Sequence, residues 1–217
     1  MRTFMQLAIA CVLTFSACSL HAGDILDRVV ATVNGQPILQ SEVEEEAAFD
    51  CLFARSECNP NGPERLHAAR ERLVDRTLLN QQMQGVRFER SRAEEVQRKL
   101  DELRQQLLPG KNNVAQWKQL LQRPGISEEQ VRARIAAELD SVRFLDAHFR
   151  PGTVVTSSQI AKYYSEQFVP KLPAHPRPPE LSAVASQIRE ILVQQAISGD
   201  LNDWLATLRQ QSTIEVH

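Results

Sequence analysis

The chain of 217 residues has no apolar run of the roughly 20 residues that a membrane-spanning helix needs. Its leading run, Leu7 to Phe15, is about half that length. Excess charge of one sign is also missing. Lys and Arg number 25 against 27 Asp and Glu, so no basic face is implied and nucleic acid is excluded as the partner class. A G-x-x-x-x-G-K phosphate loop does not occur, which excludes the usual nucleotide cycle. His67, His148, His175 and His217 are scattered. None stands beside a cysteine at ligand or nucleophile spacing, so neither a metal nor any other cofactor is implied. Each histidine is read as a surface or capping group. The acidic pairs Glu94-Glu95 and Glu128-Glu129 fall in first helical turns, where the helix dipole accounts for them without acid–base catalysis.

What is present begins with a leader. Arg2, the Leu7–Phe15 run and the small-residue site Leu20-His21-Ala22 read as an export signal over residues 1–22. A second reading takes Phe15-Ser16-Ala17-Cys18 as a lipoprotein box with Cys18 lipidated; Phe15 fits that pattern poorly. Without the leader, 24 basic residues face 27 acidic ones, and roughly 195 residues remain, enough for one large or two small domains. Cys51 and Cys58 lie seven apart. In an oxidising compartment they are expected to form a disulfide, with two unpaired thiols as the alternative.

Local signals then place the elements. Val29, Ala31 and Val33 alternate with Val30 and Thr32 as a half-buried strand, Asn34-Gly35 is a two-residue hairpin turn, and Ile38-Leu39 begins the return. Pro37 confines that return to a first or edge position. Ser41 with Glu44 has capping-box spacing for a helix start. A hairpin alone is marginal, and Thr213 to Val216 is the other good short strand, so the termini are expected to meet and to bury Ile214 and Val216. Between them lie helix signals: Pro63 to near Gly85; Ser91/Glu94 opening a helix with Val96, Leu100, Leu103 and Leu107; a short helix with Val114, Trp117, Leu120 and Leu121. Ser127/Gln130 caps a long helix carrying Val131, Ile135, Leu139, Val142, Leu145 and Phe149, and Thr156/Gln159 caps another with Tyr163 and Tyr164. Residues 169–179 hold five prolines and read as an extended connector. A last helix follows from about residue 180, with Gly199 as a point of bending or breakage.

DRVVATVNGQPILQSEVE (27–44) and DWLATLRQQSTIEV (203–216) resemble the opening and closing segments of SurA-type periplasmic chaperones. ISEEQVRARIAAELDSVRFLDAHFRPGTVVTSSQIAKYYSEQF (126–168) is similar to that family's middle helices. The resemblance implies a mainly α fold: a helical core module at 23–168, a connector at 169–179, and a helix and strand at 180–217 that pack back. A small antiparallel sheet joins the N-terminal hairpin to the C-terminal strand. Longer members carry parvulin-type prolyl isomerase domains before the last helix. Only the 15 residues Ser165 to Pro179 lie there, below the roughly 40 an unaided folding unit needs, so no enzyme activity is expected. The implied role is an ATP-independent holdase in the periplasm for unfolded or extended polypeptide clients, among them outer-membrane proteins, with the membrane a partner only if Cys18 is lipidated. Met83, Phe88, Trp117, Tyr163 and Tyr164 are the candidate client-binding groups, and core packing is the competing role for each. The alternative function is an accessory subunit of one dedicated envelope complex.

Overall fold

The computed structural model describes residues 27–54, 58–110, 114–172 and 178–217; residues 1–26, with the expected signal and Cys18, and residues 173–177 of the proline run lie outside them. Seven α-helices and three strands are present among the described residues, a mainly α fold with one small sheet. Strands β1 (Val29–Val33) and β2 (Gln36–Leu39) form the hairpin. Asn34 and Gly35 both take positive φ, 51° and 81°, the turn whose twist matches paired strands. Strand β3 (Ile214–Val216) pairs antiparallel with β1, setting Thr32 opposite Glu215, and the order is β2-β1-β3. Pro37 therefore does stand on an edge strand, opposite Thr32.

Two sheet details differ from the sequence pattern. The β1–β2 register slips between Val29 and Ala31, and a bulge of this kind re-aims side chains. Val30 is thereby buried while Val29 is exposed. On β3, an edge strand, Ile214 packs on the core but Val216 stays 55% exposed.

Helix α1 (Gln40–Leu52) starts one residue before the expected cap. Its opening is held by Glu42, which accepts from the Leu39 N–H at 2.8 Å. Ser41, expected as the cap, instead donates its hydroxyl to Asp27, which also accepts the Ser41 N–H at 3.2 Å. Helix α2 (Pro63–Met83) has Pro63 in its first turn, as anticipated, and the Cys51–Cys58 disulfide ties the end of α1 to its approach. Helix α3 (Ala93–Leu107) instead begins one residue later than expected: Glu95 accepts from the Arg92 N–H at 2.9 Å, while the Ser91 N–H goes to Asp140 at 2.6 Å. Helices α4 (Val114–Gln122), α5 (Glu128–Phe149) and α6 (Ser157–Tyr163) follow, the last two with the expected Ser127/Gln130 and Thr156/Gln159 capping boxes. A π-helical turn, Tyr164–Phe168, extends α6. The connector does not open as an extended chain: Val169–Lys171 is a 3-10 turn with Pro170 in its first turn.

Helix α7 (Leu181–Gln211) runs unbroken through Gly199, about 46 Å at 1.5 Å per residue. Glycine inside a helix costs only about 0.5–1 kcal/mol, and Ile188, Val193, Ile197 and Leu208 are buried along the helix on both sides of it. Three clusters form the core. The sheet, α1, α2 and the end of α7 enclose one around Ala31, Val33 and Leu78. The end of α1 with α3, α4 and α5 makes the second around Leu100 and Val131. The third is small, built by α6 and the first half of α7 around Ile160 and Ile188.

Candidate functional site

Between the end of α1, α3 and α5 lies an open cleft of about 620 Å³. Its floor is apolar, with Leu103, Val131, Ile135 and Leu139, and two exposed apolar side chains stand in its lining, Phe53 at 55% and Val142 at 57% exposure. Polar groups complete the lining: Lys99 is paired to Glu102 at 2.6 Å, with Glu138 on α5. Val131 and Ile135 are buried as expected on α5, but Phe144 joins them there and Val142 does not.

Behind the cleft the helices are pinned by one carboxylate. Glu46 of α1 is only 2% exposed, yet Arg72 donates to it at 3.1 Å, Arg76 reaches it at 2.8 Å, and both terminal nitrogens of Arg134 hold it, one at 3.0 Å. Burial alone would raise its pKa. The Arg134 hydrogen bonds and the Arg76 and Arg134 charges outweigh that and bring it down to about 2. Arg134 itself lines the cleft, so the ion cluster fixes a cleft wall and joins α1, α2 and α5. A sequence signal for this existed: Glu46 interrupts the apolar face set by Val43 and Ala47, and Arg72 and Arg76 are spaced for one side of α2.

The candidate contact residues scatter through the molecule. Met83 and Trp117 are 6% and 4% exposed. Both are core groups and offer a client no surface; Trp117 is further occupied by donating its indole N–H to Glu128 at 2.9 Å. Phe88 is half-buried, edge-on to Phe144 with ring centroids 5.8 Å apart, and Arg90 stands 4.3 Å from its ring centre. Tyr163 and Tyr164 are half-buried on the third cluster, and the Tyr164 hydroxyl donates to the Pro179 carbonyl at 2.8 Å. None of the five lines the α1/α3/α5 cleft. The sequence missed that cleft because it needs three helices brought together from distant segments. Among the described residues, no three His, Cys, Asp or Glu side chains are grouped to hold a metal ion. Nor is any described helix long and apolar enough to cross a membrane.

No curated protein matches the chain. A family model does: residues 2–143, running into α5, match the SurA-like N-terminal domain. The match covers well over half of the chain and takes in the hairpin, the Glu46 cluster and the cleft-forming helices. The chain therefore belongs to the SurA-like N-terminal domain family.

Proposed function

We propose that this protein is an exported, ATP-independent holdase that keeps unfolded or extended envelope proteins, outer-membrane proteins among them, from aggregating. Family membership supports a chaperone-like role in general. The observation that carries the finer reading is the open cleft with exposed Phe53 and Val142 in its lining. Apolar side chains left facing water are a standing cost unless a ligand covers them in turn. A cleft with an apolar floor and charged groups around it suits apolar side chains of an extended chain, whose backbone finds polar partners at the edge. Export rests on the reading of residues 1–22 as a signal, and the absence of isomerase activity on the short segment between α6 and α7.

Light scattering of a denatured β-barrel protein diluted into buffer without ATP is the test. Several-fold molar excess of the mature protein is expected to suppress scattering, and Val142→Lys, at an exposed position, to weaken that suppression several-fold. Wild-type protein without effect would reject the holdase reading. A single stoichiometric partner recovered by crosslinking from the native compartment would favour an accessory subunit. A tetrapeptide assay is expected to show no prolyl isomerisation above the spontaneous rate.

A further inference from the structure

On the side of α5 that faces α7 is a second pocket of about 360 Å³, lined chiefly by Val86, Arg87, Phe88, Phe144, His148 and Trp204. Its position follows from the chain. After α2 ends, Gly85 turns the backbone with φ +79°. The following segment is then clamped along α5: Asp140 accepts the Ser91 N–H, and Arg143 donates to the Glu89 and Arg90 carbonyls at 3.3 and 2.6 Å. Trp204 comes from α7 and stacks on His148 with centroids 5.0 Å apart, while Phe144 stacks on the same imidazole at 5.8 Å. The pocket is thus a fixed aromatic slot. Val86, 48% exposed, stands in its lining.

Two ligand classes suit aromatic slots: a cation over a ring face, or an apolar side chain. The rings already have partners on a face. Arg90 covers Phe88, and Phe144 and Trp204 both stack on His148. The charges settle the remaining question. Around the slot, Arg90 is paired with Asp140, Arg143 with Glu95, Glu89 with Arg92, and Arg150 with Asp146 and Glu190. Arg87 lines the slot, is exposed, and has no ion-pair partner among the described residues. Among the described residues no carboxylate lines the slot; Asp200 and Asp203 of α7 are not among its lining groups. A cation in the slot would meet Arg87 unscreened by any lining acid, whereas a carboxylate would complete a pair.

We propose that this slot is a second client subsite, taking a bulky apolar side chain that has a carboxylate beside it. It rests on the holdase reading and adds to it a charge preference located away from the main cleft. The apolar side chain fills the space between Phe88 and Trp204, and the neighbouring Asp or Glu carboxylate accepts from the Arg87 guanidinium.

Two blocked, dansyl-labelled peptides with one shared leucine and phenylalanine run, flanked by glutamate in one and lysine in the other, provide the probe. Fluorescence anisotropy at low salt is expected to show the glutamate peptide binding the mature protein about fivefold more tightly or better, the order of one partly exposed ion pair. Arg87→Glu should reverse the order and Arg87→Lys should keep it. Equal affinities, or a preference that survives Arg87→Glu, would overturn the subsite. Scattering by the same samples separates the two readings. Suppression without the charge preference rejects the subsite alone, and charge-dependent peptide binding without suppression rejects the holdase while the subsite stands.

Discussion

The two ends of α7 lie in very different surroundings. At its C-terminal end, Leu208 is buried in the first core, Arg209 binds Asp75 at 2.6 Å and Glu71 at 3.0 Å, and β3 completes the sheet. At the other end a small cluster around Ile160, Val184 and Ile188 joins α7 to α6. The ion pairs repeat the contrast. Glu46 in the base and Glu190 near the arm both have pKa values lowered to about 2, each by arginine, but Glu46 is buried and Glu190 is exposed. Equal shifts therefore do not mean equal contributions to stability. Water and salt screen the exposed pair, while a buried carboxylate has no other partner. The molecule reads as a firm base from which a rigid helix holds out a thin arm.

The largest test of that contrast is Glu46→Ala, which leaves three guanidinium groups around a vacated site. It should lower stability by about 3–5 kcal/mol and the melting temperature by roughly 10 °C, followed by circular dichroism. A melting point within about two degrees of wild type would remove the cluster from the base's stability. The same carboxylate sets a pH dependence. Its folded-state pKa lies below the ordinary value, so its contribution is complete above about 4.5 and is lost as pH falls towards about 2. The loss is on the order of 3 kcal/mol by linkage. Urea unfolding across this range should show that slope, and Glu46→Gln should flatten it.

Reducing the Cys51–Cys58 disulfide ranks next, with an expected loss of about 2–3 kcal/mol for so short a loop. Intact mass after alkylation without reductant should show no alkyl groups on these residues in the untreated protein. Deleting Thr213 to His217 should remove about 1–3 kcal/mol, because Ile214 is half-buried and Val216 is not. Faster amide exchange throughout β1 would accompany it; unchanged protection there would mean that the hairpin stands alone. The smallest effect is expected from Arg150→Ala, which cuts the Glu190 pair. Melting should move by about a degree at most, while amide exchange in 157–172 quickens and that of β1 stays the same. If both regions change together, arm and base are one cooperative unit.

Which features the sequence disclosed depends on how far apart the partners lie. Asn34-Gly35, Pro63, Ser127/Gln130 and Thr156/Gln159 all work within four residues, and each stands where it was expected. Ser41/Glu44 and Ser91/Glu94 have equally good spacing, yet each serine meets a remote carboxylate, Asp27 or Asp140, and the cap moves two residues earlier in α1 and one later in α3. The pairing of β1 with β3 was legible only because both segments are strand-like and otherwise unmatched. Glu46 and Arg134 are 88 residues apart, and no local pattern names that pairing. Trp117 and Met83 mislead for a related reason: a large adaptable side chain looks the same in a sequence whether it faces a client or the core.

One consequence follows from the position of β1 in the middle of the sheet. Thr32 faces Glu215 across a separation of 183 residues, so the first strand made is completed by the last. During synthesis the hairpin keeps an open edge until residues 214–216 have emerged, and closing so long a loop is slow. Local helices can form early, but the base cannot lock until residue 214 is available. Completion of the sheet therefore waits on residues 214–216, far along the chain from the hairpin they cover.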